Sequence, residues 1–171
     1  MTAGRLDDAT SDGEDAFIGL GSNLGDRAAE LDRAFDAIAR LPLTALIARS
    51  SYYESAPVDA PGDDYLNAVA RVRTFLAPID LLHALQGIEQ AQGRDRPFPQ
   101  APRTLDLDLL LFGTRTMATA ELVLPHPRLA ERAFVLVPLA EVAPGLDVPG
   151  RGRVEALHAA VATQRLAKLK R

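Results

Sequence analysis

The chain contains no cysteine. Disulfides, thiolate nucleophiles and zinc sites built on cysteine are therefore excluded. Histidine is scarce too: His83, His126 and His158 are scattered without ligand spacing, which argues against a histidine-rich metal cage. Aromatic residues make up only 5 % of the chain. A sheet that binds single-stranded RNA displays aromatics on central strands and a basic face, so this composition sets a nucleic-acid partner aside. No apolar run approaches the roughly 20 residues of a membrane span. The opening MTAGRLDDATSDGEDA has no apolar stretch of the kind a signal peptide uses. These absences lead us to expect a soluble, cytoplasmic protein with no membrane partner, and we expect a monomer.

What is present suits one folded unit: 171 residues, 47 % of them hydrophobic. Residues 1–15 hold five acids (Asp7, Asp8, Asp12, Glu14, Asp15) against Arg5, which accounts for the net charge of −4. We read them as a disordered acidic tail and residues 16–171 as a single domain. The body beyond the tail is neutral, so any anion-binding site must come from a local arginine cluster.

Hydrophobic periodicity supplies the elements. FIGLGS (17–22) reads as a buried strand entering a turn. Asp26 is a candidate helix cap, with Leu31, Ala34, Phe35, Ile38 and Leu41 on one helical face. Residues 43–54 read as a β segment. In 65–75, Leu66, Ala68, Ala70 and Val72 alternate with Tyr65, Asn67, Val69 and Arg71, the second set facing outward. Pro78 opens a helix that turns Ile79, Leu82, Leu85 and Ile88 inward and ends at Gly93. LDLDLLLFG (105–113) is the next strand. FVLVPLAEVAP (134–144) reads as a further helix with an irregular first turn at Pro138, and VEALHAAVATQ as a short terminal one. The order β-α-β-β-α-β is that of a ferredoxin-like α+β sandwich, a mainly antiparallel sheet with helices on one face, plus additional helices.

Asp106 and Asp108 lie two apart on a strand and so share a face, with Leu105, Leu107 and Leu109 on the other. Adjacent carboxylates repel, and exposed aspartate is disfavoured in strands. A divalent cation removes the conflict; magnesium is commonly held by one or two carboxylates, with phosphate and water completing the shell. The spacing alone fits a solvent-facing strand with incidental charges equally well. The preceding loop GRDRPFPQAPRT (93–104) shifts that balance, because Arg94, Arg96 and Arg103 can chelate phosphate oxygens. After the strand, His126, Arg128 and Arg132 add phosphate-binding capacity, and Phe134 offers a stacking surface. Tyr65 and Asn67 suit a planar heterocycle, by ring contact and by a paired donor and acceptor, although an ordinary half-exposed strand would look the same. Gln86 and Glu89, one helical turn apart, either line a site or are solvated. GLGSNLG (19–25) does not match G-x-G-x-x-G, and no Walker loop is present. ATP, if bound, is held by arginines and metal.

Together, GLGSNLGDR, SSYYESAPV, DYLNAV, GRDR, APRTLDLDLLLFG and LPHPRLAERAFVLVPLAEVAP resemble the 6-hydroxymethyl-7,8-dihydropterin pyrophosphokinase family of folate biosynthesis, over roughly residues 16–147. The resemblance implies transfer of pyrophosphate from ATP to the pterin hydroxymethyl group, with release of AMP. It implies that Asp106 and Asp108 hold two magnesium ions. Arg94, Arg96 and Arg103, with His126 and Arg132, would grip the triphosphate, and Arg94 and Arg103 would share catalysis with the two aspartates. Gln86 and Glu89 would fall on the ATP side. Tyr65 and Phe134 would sandwich the pterin, with Asn67 and the Ser55–Val58 stretch, Pro57 included, reading its edge. Asn23 would support the neighbouring loop. The chain departs from the family where a lid tryptophan is often found: Gln100 and Ala101 stand there, Phe98 is the candidate replacement, and the role of Arg96 is the one most affected.

Overall fold

The computed structural model describes residues 13–57, 62–93 and 104–170. Strand β1 (Glu14–Ser22) leads to helix α1 (Arg27–Ala39). Strands β2 (Thr44–Arg49), β3 (Tyr53–Ser55) and β4 (Tyr65–Thr74) follow, then helix α2 (Pro78–Gly93) and strand β5 (Asp106–Phe112). Every pairing in the main sheet is antiparallel, in the order β3–β4–β1–β5 with β2 also on β4. This is the expected ferredoxin-like arrangement.

β1 begins at Glu14, so the boundary placed after residue 15 is corrected. Glu14 pairs with Arg115, and Asp15 accepts from Arg71 Nη2 at 2.7 Å and Arg73 Nη2 at 3.0 Å. Composition alone assigned these two acids to the tail, whereas Arg71 and Arg73 across on β4 and Arg115 just beyond β5 draw them into the sheet. The 43–54 segment is likewise two strands. Ser50 Oγ accepts the Val69 N–H at 2.8 Å, so a side chain takes over one rung of the ladder where β2 gives way to β3.

α1 starts at Asp26, whose carboxylate accepts from the Ala29 N–H at 3.1 Å. Leu31, Ala34, Phe35 and Ile38 are buried as the periodicity predicts. On α2 the buried line is Pro78, Leu81 and Leu85. Ile79, Leu82 and Ile88 flank it, only partly buried, because the helix packs against both α1 and β5 rather than on one flat surface. These helices cover Ile18, Leu20, Ala68, Ala70, Val72, Leu107 and Leu109 of the sheet.

The opposite face is covered as well, a correction to the single helical layer expected. A turn of 3-10 helix (Leu129–Glu131) leads into α3 (Ala133–Val142), whose Leu136, Leu139 and Val142 pack on Phe17, Val69 and Leu110. Pro138 sits in the body of α3, not in its first turn, and has no N–H to give the Phe134 carbonyl. The terminal helix α4 (Val154–Ala160) is shorter than expected and joins this second core through Val154. Three small additions complete the chain. β6 (Met117–Ala118) pairs with β7 (Val123–Leu124), β8 (Asp147–Val148) pairs with β9 (Gly152–Arg153), and β10 (Ala167–Lys168) adds to β3. Among the described residues no helix is long and apolar enough to cross a membrane.

One irregularity sets the face of β5. Phe17 is opposite Leu111 but Ile18 is opposite Leu109, so Leu110 is an extra residue on β5. This bulge lets Leu110 and Leu111 both enter the second core while Asp106 and Asp108 stay on that same side of the sheet.

Candidate active site

Beyond the N-terminal end of α3, the second face of the sheet opens into a cavity of about 220 Å³. Its floor is β1, where Gly19 lies between Val69 and Asp108, and Gly21 between Asn67 and Asp106. A Cβ on Gly21 would stand 3.6 Å from Asn67 Oδ1 and from the Tyr65 ring; one on Gly19 would stand 3.4 Å from the Leu110 methyls. The space exists because these two positions carry no side chain. Neither glycine figured among the candidates. The signal for them is the alternation Phe17, Gly19, Gly21 along one strand face.

Strand β4 brings Tyr65 and Asn67 to the wall, so their face is a lined cavity rather than the outward surface expected. Asn67 is 4 % exposed. Its Nδ2 donates to the Tyr53 carbonyl at 3.1 Å and to Ser55 Oγ at 2.7 Å. A carbonyl can only accept, which fixes the amide orientation. Both amide protons are used, so Oδ1 offers an acceptor on the Gly21 side. The Tyr65 hydroxyl is held above its usual pKa by burial and then by the Asp106 charge, and stays a neutral phenol at physiological pH. Ser55 and Ala56 extend this wall from the end of β3.

Asp106 and Asp108 line the β5 side, the first half-buried and the second exposed. Among the described residues no group of three His, Cys, Asp or Glu side chains converges, so the oxygen donors for a cation on this wall are these two carboxylates. Glu89 does not line the cavity: its Oε2 accepts the Leu107 N–H at 2.8 Å, closing the open edge of β5 between the two aspartates. Gln86 is exposed on α2 and also stands apart from the cavity.

Arg132, Phe134 and Val135 form the remaining wall. Arg132 has extended backbone immediately before α3, and its guanidinium carbon lies 5.4 Å from the Phe134 ring centre. Its Nε is buried with no hydrogen-bond partner among the described residues. Gln164, which no sequence pattern flagged, fixes this segment from the far end of the chain. Its Oε1 accepts the Ala133 N–H at 2.8 Å and its Nε2 donates to the Glu131 carbonyl at 2.7 Å, one bond on each side of Arg132.

His126 is not among the residues lining the cavity. Its backbone N–H donates to the Leu110 carbonyl at 2.9 Å, and its Nδ1 accepts the Arg128 N–H at 3.2 Å. The neutral ring therefore carries its proton on Nε2. Burial pushes the pKa down; the Asp108 charge opposes this, and the Arg132 and Arg128 charges reinforce it. Pro57 is half-buried beside Ala56 without lining the cavity. Asn23 Nδ2 lies 3.9 Å from the position of a Cβ on Gly62. Val58, Arg94, Arg96, Phe98, Gln100, Ala101 and Arg103 lie outside the described residues.

The fold is that of a small ferredoxin-like α+β domain, with a two-carboxylate cavity whose other walls carry a fixed carboxamide and an arginine. The chain belongs to the 7,8-dihydro-6-hydroxymethylpterin-pyrophosphokinase (HPPK) family, whose model matches residues 17–144. It is 48 % identical over 146 residues to the 2-amino-4-hydroxy-6-hydroxymethyldihydropteridine pyrophosphokinase of Pseudomonas aeruginosa, covering 84 % of this chain and 90 % of that one. The enzyme of the same name from Haemophilus influenzae is 42 % identical over 156 residues, covering 90 % and 97 %. Among solved structures, wild-type HPPK-DHPS of Plasmodium falciparum with SDX-DHP superposes with a TM-score of 0.70 at 13 % identity. At that identity the likeness shows the fold; the match covers 86 % of this chain and 44 % of that longer one.

Proposed function

We propose that this cavity performs the family reaction: transfer of pyrophosphate from ATP to the hydroxymethyl group of 6-hydroxymethyl-7,8-dihydropterin, with AMP leaving, in folate biosynthesis. The observation that carries the reading is the meeting of two kinds of chemistry in one small space. Asp106 and Asp108 supply hard oxygen donors on one side, and the fixed Asn67 acceptor with the Tyr65 and Phe134 rings supplies a heterocycle site on the other.

The reaction forms a bond from the hydroxymethyl oxygen to the β-phosphorus and breaks the bond from that phosphorus to the oxygen leaving with AMP. Catalysis of this kind is mainly alignment and charge neutralisation. Asn67 Oδ1 accepts from an N–H on the pterin edge, and the Ser55 hydroxyl offers a second polar contact there. Phe134 and Tyr65 hold the ring between them. Arg132, on the wall beside Phe134, meets phosphate oxygens with its guanidinium. The neutral His126 presents Nε2–H as a donor near Asp108. Arg94, Arg96 and Arg103 are assigned to the triphosphate from their sequence positions.

The donor set fits magnesium, which takes oxygen ligands and keeps open positions for phosphate and water. Asp106 and Asp108 would hold it, as two ions by family resemblance. Held there, it would supply positive charge to offset what builds on the phosphate oxygens. We further assign the chain to the cytoplasm as a monomer.

Product analysis tests the reading. With ATP, magnesium and the dihydropterin, the expected products are AMP and the pterin pyrophosphate in equal amounts. ADP in place of AMP would overturn it.

A further inference from the structure

Glu141 stands in the last turn of α3, six residues beyond Val135 and so about 9 Å further along the helix axis from the cavity wall. Its carboxylate is nonetheless fully engaged. Oε2 accepts the Ser51 N–H at 3.0 Å and the Ser51 hydroxyl at 2.8 Å, and Oε1 accepts the Tyr53 hydroxyl at 2.6 Å. Burial works against its charge, but the Tyr53 hydroxyl, the Ser51 hydroxyl and amide, and the Lys168 charge outweigh it and hold the pKa below the usual glutamate value. It remains a carboxylate throughout the neutral range.

The three bonds all fall on the short stretch that ends in Ser55. Tyr53 is 7 % exposed, and its carbonyl is one of the two acceptors for Asn67 Nδ2; Ser55 Oγ is the other. β3 pairs with β4 over only three residues, Tyr53 to Asn67, Glu54 to Leu66 and Ser55 to Tyr65. On its other edge β3 meets only the two-residue β10; so short a strand is weakly held by its ladders, and a charged acceptor is the stronger kind of anchor.

We propose that Glu141 is a positioning residue for the pterin: by fixing Ser51 and Tyr53 it keeps the Tyr53 carbonyl and the Ser55 hydroxyl on the Asn67 amide, which turns Asn67 Oδ1 toward the substrate. The same helix carries Phe134 at its other end. One residue thus couples the strand that orients the carboxamide to the helix that supplies the stacking ring. The inference rests on the assignment of Asn67 to the pterin edge.

The test is a double-mutant cycle in steady-state kinetics, with the KM for pterin and for ATP measured separately. Glu141→Ala is expected to raise the pterin KM about tenfold and leave the ATP KM within about twofold. Glu141→Gln, which keeps an acceptor for Ser51 and a polar partner for Tyr53, is expected to restore most of the pterin affinity. Tyr53→Phe, which removes one bond and keeps the ring, moves the pterin KM in the same direction by less, and serves if Glu141→Ala does not fold. In an Asn67→Ala background, removal of Glu141 or of the Tyr53 hydroxyl is expected to add nothing further. If the two effects multiply instead, or if both KM values rise together, Glu141 is a stability residue only. If Asn67→Ala itself leaves the pterin KM unchanged, the assignment of the carboxamide fails, and the proposal with it.

Discussion

The floor of the cavity and the wall that carries Arg132 are held by different kinds of bond. Gly19 and Gly21 have a paired strand on each side, so Asp106, Asp108 and Asn67 inherit their places from continuous ladders. Arg132 and Phe134 come from the junction between a 3-10 turn and a helix. That junction is tied by single bonds: the His126 N–H to Leu110 on one side, and the two amide contacts of Gln164 on the other. Groups that must hold a fixed spacing thus sit on the ladder, and the groups assigned to ring stacking and phosphate contact sit on the tied segment.

The sharpest way to break this contrast is at the floor. Asp106→Ala and Asp108→Ala are each expected to lower kcat by about a thousandfold or more while circular dichroism and melting stay close to the parent. Near-normal magnesium-dependent turnover in both would remove the metal assignment. The tied wall should respond more gently: Gln164→Ala loses two hydrogen bonds at about 1 kcal/mol each, and kcat/KM should fall roughly tenfold without loss of the fold. An effect as large as that of the aspartates would show that the wall is no softer than the floor. The smallest effect is expected at the far end of the sheet. Burial opposes the Asp15 charge, but hydrogen bonds and attraction from Arg71 and Arg73 outweigh it and hold the pKa below 3.8. The stabilisation is therefore present above pH 3.8 and lost as pH falls through the folded-state value. Partial exposure screens it, so Asp15→Asn should cost about 1 kcal/mol or less at neutral pH. Urea melts at pH 7 and pH 3 should show that difference shrinking, with kinetics at neutral pH unmoved.

Much of this was readable in the chain itself, for identifiable reasons. The Asp26 cap, the α1 stripe and the paired aspartates are local patterns, fixed by spacings of two to four residues. What stayed hidden depends on distant partners. Nothing near Asn67 indicates that Tyr53 and Ser55 consume both of its amide protons. Gln164 is 31 residues from the amide it accepts. Glu89 entered as a possible site residue by its one-turn spacing from Gln86, and that spacing gave no sign that its Oε2 accepts the Leu107 N–H at the edge of β5. The second helical layer was missed because Val69 shares its strand face with Tyr65, Asn67 and Arg71, a mixture that reads as solvent-facing. The glycine floor contributes space rather than atoms, which a search for chemical groups passes over.

The extra residue at Leu110 acts as a switch of parity. Side-chain direction inverts at every step along a strand, so an odd insertion lets the two ends of β5 obey different rules. Upstream, Asp106 and Asp108 face the cavity; downstream, Phe112 returns to the first core while Leu111 stays in the second. Removing a single residue between Asp108 and Leu111 would force a choice: either the apolar end of β5 exchanges its two cores, or both carboxylates turn away from the cavity. The length of this seven-residue strand is therefore as much a part of the site as the acids it carries.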